Sequence, residues 1–172
     1  MRKRICITTV FVMMMLTIMP TGVYAETNDW TYDASNRTLT SADQNITLYN
    51  VRASNKHLCI ENNNEKSFKA IDLTGKINGG EYIITELGSE SFKNCKSLED
   101  IKLPDSVKEI GSGAFARCFN LKSFNIPDGV EDIESQIFLE CSSLSSVKIP
   151  DSVKKIGNTA FANCKALTSI EI

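Results

Sequence analysis

The chain has one histidine and one tryptophan, and none of its six cysteines forms a Cys-x-x-Cys pair. A single histidine gives acid–base or nucleophilic catalysis little to work with, and the cysteines lack zinc-site spacing. Charge of one sign is also scarce: 19 Lys and Arg against 21 Asp and Glu give a net of −2, with no run of like charge. Such a balance offers nothing to gather nucleic-acid phosphates and marks no charged tail. After residue 25 no segment is long and apolar enough to cross a bilayer. No enzyme activity, cofactor, metal or nucleic-acid partner is therefore expected.

The first 25 residues stand apart. "MRKR" is a basic start, "ICITTVFVMMMLTIM" an apolar run, and "VYA" a small-residue cleavage site ending at Ala25. This is the pattern of a secretory leader. Cys6 precedes the apolar run, so it is not a lipoprotein cysteine. Removing Arg2, Lys3 and Arg4 moves the net charge from −2 to −5 (−2 − 3), since residues 1–25 hold no acid. A mildly acidic, secreted or cell-surface chain is expected.

What the chain has in quantity is a repeat. Phe92, Phe115, Phe138 and Phe161 stand 23 apart, and so do Cys95, Cys118, Cys141 and Cys164. Leu98, Leu121, Leu144 and Leu167 keep the step, as do Pro104, Pro127 and Pro150, and Leu87, Ile110, Ile133 and Ile156. Independent columns at one such period define a leucine-rich solenoid.

Each unit reads physically. In "SLEDIKLPD", Ile101 and Leu103 alternate with Asp100 and Lys102, which predicts a strand with one buried face. Pro104 ends it, and Pro-Asp opens a turn. "VKEIG" is a short extended return. Ser112, in a column with Ser89, Ser135 and Asn158, is placed to cap a following one-turn helix or 3₁₀ piece such as "GAFARC". Phe115 and Cys118 would share its inward face. No unit buries these residues alone, so each coil must serve as the floor of the next.

Residues 26–67 lack the period. "WTYDASNRTLT" reads as two strands around a turn, with "NITLYNV" and "HLCI" as further strands. "SFKAIDLTGKINGGEYIITEL" reads as a degenerate repeat: Ile71 and Leu73 precede Ile101 and Leu103 by 30 residues instead of 23, the excess lying around Gly79-Gly80. The expected fold is a leucine-rich repeat solenoid of short β-strands and one-turn helices or 3₁₀ pieces with a β-rich N-terminal cap. The leader is placed at 1–25, the cap with its degenerate repeat at 26–83, and three complete repeats and one incomplete repeat at 84–172.

"IPDSVKKIGNTAFANCKALTSIEI" resembles the BspA-type leucine-rich repeat family, with its I-P, V-x-x-I-G, A-F-x-x-C and L-x-x-I-x-I elements. The likeness is strong over 84–172 and weaker over 68–83. It implies a secreted or cell-surface bacterial solenoid used for adhesion or protein binding. Glu134 departs from the glycine seen as Gly88, Gly111 and Gly157, and Ile137 from the small residue seen as Ser91, Ala114 and Ala160. That unit is expected to be looser or distorted.

Candidate sites follow. The exposed strand face carries Glu99, Asp100 and Lys102, then Lys122, Ser123 and Asn125, then Ser145, Ser146 and Lys148, then Thr168, Ser169 and Glu171. It is polar, mixed in sign and free of aromatics, which suits a solvated surface or a protein partner better than a sugar. Trp30, Tyr32, Tyr49 and Tyr82 all fall in the cap and suit packing there. Phe119 and Leu139 break polar or small columns on adjacent coils and together make a candidate apolar contact. Asp105, Asp128 and Asp151 fit either turn chemistry or a calcium ladder. The column cysteines fit free buried thiols or, in an oxidising compartment, neighbouring disulfides; parallel Cβ vectors favour the thiols. His57 and Cys59 are expected on opposite faces of a strand.

The functional expectation is an exported, non-catalytic protein-binding or adhesion module. The alternative is an accessory or truncated module of a larger surface protein. The sequence stops at Ile172, a residue short of the next expected proline. If the chain ends there, self-association through the uncapped C-terminal coil is expected, most simply as a two-fold dimer. If it continues, the next repeat supplies the missing floor.

Overall fold

Short period-two segments cannot make long strands, and they do not. The computed structural model describes residues 29–42, 46–61 and 67–172, and its strands there run two to five residues. The leader at 1–25 lies outside the described residues.

The cap opens with β1 (Trp30–Asp33) and β2 (Thr38–Ser41), antiparallel around a polar turn, joined by β3 (Thr47–Leu48). A hairpin follows: β4 (Val51–Ser54) pairs with β5 (His57–Ile60). Its turn residues Asn55 and Lys56 have φ of 48° and 65°, the left-handed pair that suits a right-twisted hairpin. Trp30 fastens the cap to the first coil. It is buried, donates its indole N–H to Asp72 O at 2.9 Å, and donates its backbone N–H to Lys76 O at 2.7 Å. The ring of Tyr32 lies 5.1 Å from that of Tyr82.

The solenoid then winds in two strand rows. The first row holds β6 (Ala70–Asp72), then later strands at matching positions; a 3₁₀ turn (Asn78–Gly80) leads to β7 (Ile83–Leu87) in the second row. The coils continue with β8 (Asp100–Lys102) and β9 (Glu109–Ile110), then β10 (Ser123–Asn125) and β11 (Asp132–Ile133). β12 (Ser146–Lys148), β13 (Lys155–Ile156) and β14 (Ser169–Glu171) complete them. β6 and β8 pair in parallel with Ile71 opposite Ile101, so the 30-residue coil stacks in register with its neighbours. The excess is taken up near the 3₁₀ turn, where Gly79 and Gly80 have φ of 70° and 98°, conformations that glycine adopts without steric cost. β5 of the cap pairs in parallel with β7, so the cap extends the second row.

The third side of each coil corrects an expectation. "GAFARC" is neither α-helix nor 3₁₀ helix but a pair of turns, with Gly113 and Arg117 at φ of 65° and 63°. The hydrogen bonds explain why. Ala116 N–H bonds within the coil to Gly113 O, whereas Phe115 N–H bonds to Ile137 O of the next coil at 2.9 Å. Glu90, Phe92 and Asn94 donate in the same way to Ser112, Ala114 and Ala116. Alternate N–H groups therefore serve the neighbouring coil, and a helix would turn them all inward. Ser112 caps nothing: its Oγ lies 3.5 Å from Glu134 Oε2, and its carbonyl accepts from Glu90.

Inside, the columns become stacks. Phe92, Phe115, Phe138 and Phe161 lie ring on ring, with centroids 5.5, 5.8 and 5.5 Å apart. Phe68 of the degenerate repeat closes the stack edge-on, 6.3 Å from Phe92. At the far end the last coil is only partly covered. Phe161, Cys164 and Leu167 are half-buried, and Ile156, Ile170 and Ile172 are exposed.

Ser91 is fully buried in the small-residue column, and its hydroxyl has no hydrogen-bond partner. An unpaired buried hydroxyl costs free energy that an apolar group of similar size does not. Ser91→Ala is therefore expected to stabilise the fold by ~1 kcal/mol, read as a higher denaturation midpoint at unchanged slope.

Candidate functional site

Neither strand row is continuous. In the second row β7 pairs with β9 and β11 with β13, but among the described residues β9 and β11 do not pair. Lys108 N–H bonds to Thr85 O and Lys154 N–H to Glu131 O; the equivalent bond from Glu131 to Lys108 is missing. Gly111 N–H bonds to Leu87 O and Gly157 N–H to Ile133 O; the equivalent bond from Glu134 to Ile110 is missing too. In the first row β6 pairs with β8, β10 with β12, and β12 with β14, but among the described residues β8 and β10 do not pair. Only the opening rung survives there, Lys122 N–H to Glu99 O at 3.2 Å. The turn side of the same junction is intact: Gly113, Phe115 and Arg117 donate to Ser135, Ile137 and Leu139. The two coils are hinged at their turns and splayed at both strand rows.

The residues of the coil at 121–143 account for this. A Cβ on Gly111 or Gly157 would lie 2.5 Å from the backbone nitrogen of Ser89 or Ser135, so the close approach of coils requires glycine. Glu134 brings a side chain to that position. Ser106 Oγ donates to Ile84 O at 2.7 Å and Ser152 Oγ to Val130 O at 2.8 Å. Gly129 has no hydroxyl for that bond, and the Lys108 side chain lies where a Cβ on Gly129 would be. Phe124 replaces the smaller Ile101 and Val147 of its column and wedges between Phe115 and Phe138, at 4.8 and 4.9 Å. The looseness expected of this unit thus takes the form of an opened junction.

Two grooves flank the opening. The first-row groove, about 460 Å³, is lined by Asp100, Lys102, Ser123, Asn125 and Lys148, together with Thr74, Asp105 and Asp128. Ser146 lies beside it on β12, half-buried. Lys122 is engaged with Glu99 at 2.5 Å, and its hydrogen bond holds the Glu99 carboxyl below the usual carboxylate range. Lys102 reaches Asp72 at 3.4 Å. Burial pushes the Asp72 carboxyl up, but hydrogen bonds from Thr74 and the Lys102 ammonium outweigh it and leave it lowered. Five residues of the expected face, Asp100, Lys102, Ser123, Asn125 and Lys148, line this one groove. Asp105 and Asp128 were legible as a turn column or a calcium ladder, not as part of this groove. Among the described residues no cluster of three or more His, Cys, Asp or Glu is arranged to hold a metal ion.

Phe119 and Leu139 belong to the turn side, away from these residues, and both are half-buried. The Lys96 ammonium lies over the Phe119 ring, 5.9 Å from its centroid, so one face of that ring is already covered. His57 and Cys59 do not face opposite ways. Residues two apart in a strand share a side, and both lie on β5. They differ in cover: His57 is exposed at the strand start, while Cys59 is buried between Arg52 and Glu86, its register partners. Burial, then Glu86, pushes the Cys59 thiol up to about 11, the reverse of what a nucleophile needs.

None of the column cysteines is in a disulfide among the described residues, and three of their thiols donate to a carbonyl of the preceding coil. Cys118 Sγ lies 3.2 Å from Phe92 O, Cys141 Sγ 3.1 Å from Phe115 O, and Cys164 Sγ 3.1 Å from Phe138 O. Burial, then the neighbouring Cys164, raises Cys141 from its ordinary 9.0 to about 12. A raised acid holds its proton in the folded state after the unfolded chain has lost it. The stability it confers is present below pH 9 and lost as pH rises towards 12. The stability of the wild type is expected to fall more steeply over that range than that of Cys141→Ala; parallel pH profiles would count against it.

The fold and columns define a leucine-rich solenoid. The BspA type leucine rich repeat region matches residues 61–172 in six copies, and the chain belongs to that family. The match begins inside the stretch assigned to the cap. No curated protein matches the sequence. Among solved structures, the chain is similar to a T. pallidum leucine rich repeat protein, with 26% identity and a TM-score of 0.57, covering 81% of this chain and 70% of that one. It is similar to a leucine rich cell surface protein of Faecalibacterium prausnitzii, with 27% identity and a TM-score of 0.55, covering 78% and 37%. A leucine-rich repeat protein of Bacteroides ovatus has 28% identity and a TM-score of 0.52, covering 66% and 36%. The chain therefore spans little more than a third of the length of the last two. Among the described residues no helix is long and apolar enough to cross a membrane.

Proposed function

We propose that this chain is a non-catalytic binding module of an exported or cell-surface protein, and that it engages a protein partner through the first-row groove at the splayed junction. The groove itself carries this reading: Asp100, Lys102, Asn125 and Lys148 line one concave, polar surface. Mixed charge there favours specificity over non-selective attraction. The cell-surface description of the F. prausnitzii relative supports the location, as does the leader pattern of residues 1–25. The short coverage of two relatives supports the accessory reading, in which this chain is one segment of a longer surface assembly.

The test is binding of the purified chain to an array of purified extracellular proteins. The expected result is saturable binding to a small subset, lost in Asp100→Ala/Asn125→Ala/Lys148→Ala and kept in Glu140→Gln on the turn side. Binding that ignores the triple variant would move the site elsewhere. Absence of any saturable binding would remove the adhesion reading.

The apolar face of Ile156, Ile170 and Ile172 is the counterpart of what each coil offers the next. Its natural cover is a further coil of the same repeat, from this chain or a second copy. Ile170→Lys should abolish any self-association seen by sedimentation; a dimer that survives it uses another surface.

A further inference from the structure

The second-row groove at the same junction, about 700 Å³, has a chemistry of its own. Five carboxylates line it: Glu86, Glu109, Glu131, Asp132 and Glu134. Glu86 has Arg52 at 3.7 Å and Glu131 has Lys154 at 2.8 Å. Glu109, Asp132 and Glu134 have no cationic partner within 4.0 Å among the described residues. The lining's one cation, Lys108, belongs to a side chain that lies across Gly129. Between the carboxylates run two strand edges that do not pair. Lys108 O and Ile110 O receive no backbone N–H there, unlike Thr85 O and Leu87 O one coil earlier. An unpaired strand edge takes extended chain, because a partner's backbone can supply the missing rungs.

From the open edge and the surrounding charge we infer that this groove docks an extended segment of a partner protein that carries lysine or arginine. The backbone acceptors of β9 take main-chain N–H groups, and the three unmatched carboxylates take ammonium or guanidinium groups, forming charge-assisted hydrogen bonds. An acidic segment meets the three unmatched carboxylates and is turned away. The docking site is on a different row from the groove assigned above, so either can fail without the other.

The experiment measures fluorescence anisotropy of labelled extended peptides, matched in length and carrying lysine or arginine, neutral residues, or glutamate. The cationic peptides are expected to bind, more tightly at low salt, and the others not. Glu134→Gly removes the wedge and lets the edges pair; it should weaken binding about tenfold or more, the loss expected for a charge-assisted hydrogen bond. Glu140→Gln makes the same charge change on the turn side and should leave binding unchanged. Amide exchange at residue 134 reports whether the edge has closed. Equal weakening by both variants would reduce the effect to general acidity and overturn the proposal. So would failure of the cationic peptides to bind, or equal binding of all three peptides.

Discussion

Phe115→Ala is expected to cost the fold ~3–5 kcal/mol, as other fully buried Phe truncations do. Phe115 has no exposed surface and stacks between Phe92 and Phe138, and Phe124 leans on it at 4.8 Å. Its loss removes contacts from both adjoining coils, and backbone ladders on either side limit collapse of the cavity. That places the cost in the upper part of the range. Lys122→Ala is the comparison, since its pair with Glu99 is exposed to solvent and contributes little. Chemical melts of the two variants separate inner from outer faces. Equal losses would show that the face assignment is wrong.

Gly111→Ala should cause the next largest loss, ~1–3 kcal/mol, from overpacking. Its Cβ would meet Ser89 N at 2.5 Å and Gly88 C at 2.8 Å, both backbone atoms that cannot swing aside. The coils must part instead, and the Leu87–Gly111 rung weakens. Gly88→Ala is milder, because its nearest contacts are at 3.3 Å. A melt in which Gly111→Ala matches the wild type would remove close approach as the reason for glycine here. It would also remove the reason given for the junction at Glu134.

The columns were legible because a solenoid writes each core layer into the sequence at a fixed period. Phe92 to Phe161 needed no structure to be placed inward, and the missing glycine at Glu134 pointed to the irregular coil. Three features were not legible. The turns at 113–118 look helical by spacing, since Phe115 and Cys118 would share one helix face; the choice against helix is made by N–H groups that bond to another coil. Phe124 reads as one more apolar residue in a strand, and its size matters only against Phe115 and Phe138. The acidic groove was the third. Glu86, Glu109 and Asp132 stand 23 apart in one acidic column, which Lys155 ends; Glu134 lies in the glycine column, and only the failure of β9 and β11 to pair brings out their shared setting.

The splayed junction is the central claim, since both grooves depend on it. Residue-resolved amide hydrogen exchange tests it most directly, because the repeat supplies internal controls 23 residues apart. Lys108, Gly111, Lys154 and Gly157 make inter-coil rungs and should be protected. Phe115 and Arg117 on the turn side should be protected as well. Glu131 and Glu134 should exchange far faster than their equivalents on either side. Equal protection at Glu131, Glu134 and their counterparts one coil away would mean that the second row is continuous, and would contradict the account.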